Sequence, residues 1–161
     1  MIGLFNADVR TKLEYGAIVW DPYYENQNLQ IERVQKKFLR YLNFKVWKDN
    51  SLRVPYDALV TRFGVHTLNI RRLVSKVLYI HKVLNGREQN SMFLQSLQFR
   101  IPITRNDGMF YTPIPRVNIF KKAPLYSMCV VTNKIRVDIL ANRDTNKTRE
   151  ELYKYLGKGL S

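Results

Sequence analysis

The chain has 161 residues, 45% of them apolar, and carries 27 Lys and Arg against 13 Asp and Glu, a net charge of +14 with a pI near 10. That apolar share suffices for a core at this length and excludes a disordered tail, while the shortness of every apolar run excludes a membrane span. One cysteine (Cys129) and two histidines (His66 and His81) exclude an internal disulfide and a structural zinc site, so neither metal nor cofactor is expected.

The opening Met-Ile-Gly-Leu-Phe-Asn-Ala-Asp has no basic leader and reads as no secretory signal, which points to an intracellular location, nuclear or cytoplasmic. From Leu4 to Trp20, Phe5, Val9, Leu13 and Ala17 recur every fourth residue and predict a helix with one apolar stripe, ended by Pro22. From about Gln27 to Leu42 the helical period is clearer. Ile31, Val34, Phe38, Tyr41 and Leu42 fall on one side, and Arg33, Lys36, Lys37 and Arg40 within about 100° on the other. Trp20, Tyr23 and Tyr24 beside Pro22 read either as a stacking platform or, as favoured here, as the closure of the helix end against the core. Residues 43–54 read as a connector.

Pro55 opens a short helix through Phe63, stopped by Gly64. Thr67 caps a long helix over 68–84 that Asn85-Gly86 terminates. Its stripe is Ile70, Leu73, Val74, Val77, Leu78 and Leu84, and Arg72, Lys76 and Tyr79 are expected to point away from it, with Arg71 and Lys82 on one flank. A short helix follows at 91–97. Four of the six prolines then lie between 98 and 126, so extended chain is expected there, with a short hairpin at Asn106-Asp107-Gly108. Helix returns from Leu125 to Arg136 and near the C-terminus, where Thr148-Arg149-Glu150-Glu151 has a capping-box pattern and Gly157 is the stop. The fold class expected is mainly α, in segments 1–54, 55–97, 98–126 and 127–161.

Catalysis has little support. No spaced acidic residues could converge on two metal ions, and no Gly-rich phosphate loop is present. Cys129 and His81 read as core residues. The cations read better. Residues 1–55 hold nine basic and six acidic residues, and 56–161 hold eighteen and seven, with no long block of one sign. Two helix backs therefore stand out, each read either as a phosphate-binding ridge or as an ordinary solvated face: Arg33, Lys36, Lys37 and Arg40, and then Arg71, Arg72, Lys76 and Tyr79. Arg105, Arg116, Lys121 and Lys122 lie among Phe110, Tyr111 and Phe120. That mixture suits single-stranded nucleic acid and equally suits a loop packed on the core by its aromatics.

The runs Val9-Arg10-Thr11-Lys12-Leu13-Glu14-Tyr15-Gly16, Val19-Trp20-Asp21-Pro22 and Ile31-Glu32-Arg33-Val34-Gln35-Lys36-Lys37-Phe38-Leu39-Arg40-Tyr41-Leu42 form an ordered pattern. Arg62-Phe63-Gly64, Lys82-Val83-Leu84-Asn85-Gly86, Arg116-Val117-Asn118 and Asp138-Ile139 continue it. The pattern resembles the region after the palm in reverse transcriptases of non-LTR retrotransposons, the jockey-like LINE group, over nearly the whole chain.

The resemblance implies a thumb-like helical bundle and post-thumb segment gripping RNA or an RNA–DNA duplex, with Arg10 and Lys12 joining the cations above. The fingers, palm, endonuclease and Tyr/Phe-Ala-Asp-Asp motif are absent from this sequence, so a non-catalytic C-terminal fragment of an RNA-directed DNA polymerase is expected. Asp8 stands where the family has an apolar residue. A palm supplied by another chain, or self-association through the Phe5–Ala17 stripe, would cover that stripe; no membrane partner is expected. A domesticated protein-interaction module and a non-functional relic remain open.

Overall fold

The computed structural model describes residues 1–47, 54–101 and 108–158. The chain is mainly helical. It divides into two compact units: Met1–Ala17 with Pro22–Arg71, and Ile18–Asp21 with the chain from Arg72 onward. The four-segment division expected from composition does not follow this boundary, which falls inside a helix.

The first unit opens with α1 (Ile2–Leu4), a π-helical stretch (Phe5–Arg10) and α2 (Thr11–Glu14). The predicted continuous helix to Trp20 is broken at Tyr15-Gly16. Gly16 takes φ 62°, a left-handed conformation that a residue with a Cβ adopts at a cost, and α3 (Ala17–Trp20) starts anew beyond it. Phe5 and Ala17 are buried, but Val9 and Leu13 are only half-buried. Phe5 stacks face to face on Phe38, with centroids 3.9 Å apart. The expected sticky stripe is thus largely covered by the chain itself. Asp8, the odd residue of the pattern, faces solvent.

α4 (Glu25–Trp47) runs longer than predicted at both ends. Its buried face is turned from the apolar period: Gln35, Leu39, Leu42 and Asn43 are buried, whereas Val34 and Tyr41 are exposed. Three polar side chains cause the turn by finding partners inside. The Gln35 amide donates to Tyr56 Oη and to the His66 carbonyl, both at 3.0 Å. Tyr56 donates to Glu32 Oε2 at 2.6 Å, and Arg62 donates to Asn43 Oδ1 at 2.7 Å. Satisfied in this way, polar groups cost little to bury. α5 (Tyr56–Arg62) packs Leu59, fully buried, on Leu39 and Leu42 to complete the core of this unit.

α6 (Leu68–Leu84) has the predicted bounds. At its start Thr67 Oγ1 accepts from the Ile70 N–H and Glu32 Oε1 from the Asn69 N–H, which satisfies two of the free donors there. At its end Gly86, at φ 68°, lets the Arg87 N–H return to the Lys82 carbonyl.

The second unit centres on Ile80, Leu97, Phe110, Met128 and Cys129, with Ile18 and Leu84 packed against them. α7 (Ser91–Ser96) is capped by Asn90, whose side chain accepts from the Phe93 N–H. Phe99 and Phe110 form an antiparallel bridge, the start of the expected hairpin, whose turn at Asn106-Asp107 lies outside the described residues. On its other side the Phe110 backbone exchanges two hydrogen bonds with the Asn133 amide.

The proline-rich stretch carries a helix that composition did not suggest, α8 (Asn118–Lys122). α9 (Pro124–Thr132) ends four residues before the predicted Arg136, and α10 (Val137–Ala141) follows. α11 (Thr145–Lys158) begins one turn before the expected cap. Asp144 fills that role by accepting from the Asn146 N–H, while the Thr148 hydroxyl is buried against the Asp144 carbonyl at 2.9 Å. Gly157 lies inside α11 rather than ending it.

Candidate nucleic-acid interface

Of the two expected cationic ridges, only that on α4 reaches solvent. Arg33 and Lys37 are exposed, and Lys36 and Arg40 half-buried. Glu32, four residues before Lys36, has both oxygens engaged by Tyr56 and Asn69. From Arg33 to Arg40 the helix rises about 10 Å, which matches the axial run of about three nucleotides of one strand. Tyr41 and Phe44, both 50% exposed, join this face, and Lys45 lies 5.9 Å from the Tyr41 ring centre. The signal for Tyr41 was present in the sequence, because it lies only about 40° around the helix from Lys37. Further along, Arg62 sits 4.9 Å from the ring centre of Trp47.

The second ridge is corrected by burial. Arg72 and Lys76 do not point away from the core: their side chains are only 1% and 7% exposed, and both grip Asp21. Arg72 Nε lies 2.7 Å from Asp21 Oδ1, and Lys76 Nζ 2.7 Å from Oδ2. Arg71 is held by Glu14, its Nη2 donating to Oε2 at 2.9 Å and its Nε to Oε1. Tyr79 is half-buried, its hydroxyl accepting from Asn90 and its ring meeting Phe93 edge-on at 5.1 Å. α6 is therefore surrounded along most of its length, and these four residues build the fold.

The remaining candidates scatter. Arg10 lies 3.9 Å from Glu14, half-buried, and Lys12 is exposed. Arg116 is exposed in the proline-rich stretch, where Lys121 and Lys122 are exposed too, whereas Phe110 is in the core; Arg105 lies outside the described residues. Trp20, Tyr23 and Tyr24 do not close a helix end against the core as expected: each is 42–51% exposed.

His81 and Cys129 are buried as expected. His81 Nε2 lies 2.6 Å from the Asn142 carbonyl, and burial pushes the Cys129 thiol up to about 11. Burial and the nearby Arg71 lower the His66 pKa. Among the described residues no three His, Cys, Asp or Glu side chains gather as a metal site, and no helix is long and apolar enough to cross a membrane.

No protein-family pattern, curated protein or solved structure matches the chain.

Proposed function

We propose that this chain is a non-catalytic C-terminal segment, thumb and post-thumb, of a non-LTR retrotransposon reverse transcriptase, and that it holds the backbone of an RNA or RNA–DNA duplex on the solvent face of α4. The observation that carries the binding reading is the row Arg33, Lys36, Lys37 and Arg40, with Arg33 and Lys37 exposed and Tyr41 and Phe44 beside them. Cations at this spacing meet phosphates regardless of base sequence. The family part of the proposal rests on the resemblance of the Lys12–Gly16, Trp20–Pro22 and Ile31–Leu42 runs.

Four phosphate contacts give a log–log salt slope of about −3.6 on a duplex. The double change Arg33→Gln and Lys37→Gln should weaken binding to all duplexes alike and make the slope shallower by about 2 units. Lys147→Gln with Arg149→Gln, exposed on α11, removes the same charge and should cost less affinity. Equal losses from the two pairs would refute the ridge.

A second reading has its own observation: Leu29, Val34, Tyr41 and Phe44 are all exposed on this helix. A protein partner could cover such a face. No duplex binding by the parent chain at about 50 mM salt, where phosphate contacts are strong, would favour that reading.

A further inference from the structure

Arg62, the last residue of α5, is exposed and forms no ion pair among the described residues. The acid on its own helix, Asp57, stands five residues earlier and about 140° around the axis. Two side chains of α4 fix its guanidinium. Nη1 donates to Asn43 Oδ1 at 2.7 Å, and the central carbon lies 4.9 Å from the Trp47 ring centre. Asn43 is only 3% exposed, and Trp47 meets the Phe63 ring at 61° with centres 5.6 Å apart. A guanidinium has five N–H groups, and the bond to Asn43 uses one. No Arg62 nitrogen is among the buried side-chain atoms left without a partner, so its remaining donors reach solvent.

The two residues that hold Arg62 belong to the same side of α4 as part of its cationic row. At 100° per residue Lys36, Arg40, Asn43 and Trp47 fall within about 60° of arc. Arg62 therefore prolongs that row, at a level between Asn43 and Trp47, about 15–21 Å along the axis from Arg33. On one strand that distance spans about four to six nucleotides. Tying α5 to α4 requires only the hydrogen bond and the ring contact. What the arrangement adds is a planar donor fork, fixed in place, with its charge left for an anion. Cations repeated along one axis match a backbone of regular charge rather than a lone anion. We propose that Arg62, positioned by Asn43 and Trp47, takes a further backbone phosphate of the nucleic acid that meets Arg33, Lys36, Lys37 and Arg40. The site thus draws on two helices, and the inference rests on the reading of α4 as a duplex-binding face.

The test uses the full chain and an RNA–DNA duplex longer than one helical turn. Phenylglyoxal, which modifies accessible guanidinium groups, is applied with and without the duplex, and the modified arginines are located by mass spectrometry. Arg33 and Arg62 should both react in the chain alone and both be shielded by the duplex, while Arg149, exposed on α11, should react alike in both. This measurement needs no variant and so does not depend on one folding. By fluorescence anisotropy Arg62→Gln should make the log–log salt slope shallower by about 0.9. Over the decade below 1 M that slope corresponds to about 8-fold weaker binding at about 0.1 M salt. Arg62→Lys keeps the charge and should keep the slope. A merely structural Arg62 would lower the urea midpoint in both variants and change the slope in neither. Shielding of Arg33 while Arg62 reacts at its unliganded rate, or a parental slope for Arg62→Gln, would overturn the proposal and leave the α4 row standing. No duplex binding, with neither arginine shielded, would overturn both readings together.

Discussion

Replacing Asp21 by Asn should destabilise the chain more than any other single isosteric change to a charge described above. The carboxylate divides its two oxygens between Arg72 and Lys76, 2.7 Å from each, and is itself only 11% exposed. Two buried cations then share one anion. The amide of Asn keeps one acceptor and the shape, but it removes the negative charge that both cations grip. Breaking a buried pair by removing one partner costs about 3–5 kcal/mol, because the remaining charge stays desolvated. For a chain of this length that corresponds to a fall in Tm on the order of 10 °C.

The control is Glu14→Gln at the Arg71 pair, whose side chains are 22% and 21% exposed. Solvent screening there should hold the cost near 1 kcal/mol or below. Urea unfolding followed by circular dichroism measures both. Adding Lys76→Met to the Asp21→Asn variant removes one uncompensated cation and should restore part of the loss. A cost for Asp21→Asn no larger than that for Glu14→Gln, or further loss on adding Lys76→Met, would refute the argument that desolvated charge dominates.

Two other expectations concern protonation and hydrogen bonding. Tyr56→Phe deletes the hydroxyl that donates to Glu32 and accepts from Gln35, at an expected cost of about 1.5–3 kcal/mol in urea unfolding at pH 7. Burial, then the Glu32 hydrogen bond, raises the Tyr56 pKa, so the contribution is complete below the unfolded value near 10 and is lost as pH rises beyond it. The gap between Tyr56→Phe and the parent should therefore narrow at alkaline pH, and a gap constant with pH would contradict this. Burial likewise keeps the Cys129 thiol protonated to about 11, so its alkylation rate should climb about tenfold per pH unit past the ordinary thiol pKa of about 8.5. A plateau near pH 9 would show an unburied thiol.

The helices that local signals punctuate were legible in the sequence. Thr67 and Asn85-Gly86 bracket α6 because a cap and a left-handed glycine act within a few residues of where they stand. The existence of α4 was legible in its helical period, but its facing was not. Periodicity counts apolar residues, whereas Glu32, Gln35 and Asn43 go inside because Asn69, Tyr56, His66 and Arg62 are there to receive them. Those partners lie 19 to 37 residues away, so no window along the helix contains them. The start of α11 was misplaced by competition between good caps: Asp144 and Thr148 both qualify, and the 0% exposure of Thr148 comes from tertiary packing.

The charge on α6 shows why net charge locates no site by itself. Arg71, Arg72 and Lys76 look like a binding ridge on a helical wheel, yet each is taken by a carboxylate at Glu14 or Asp21. Asp21 is 51 residues from Arg72, and only the returning Ile18–Asp21 segment brings it there. A cation fixed 2.7 Å from a buried carboxylate has little field left for a phosphate and cannot reach one without exposing its partner. What distinguishes α4 between Arg33 and Arg40 is therefore that the acid within one turn of them, Glu32, is turned inward and occupied, while the exposed Glu25 stands two turns before Arg33. The place proposed to meet nucleic acid is thus one where Arg33 and Lys37 reach solvent beside the exposed rings of Tyr41 and Phe44.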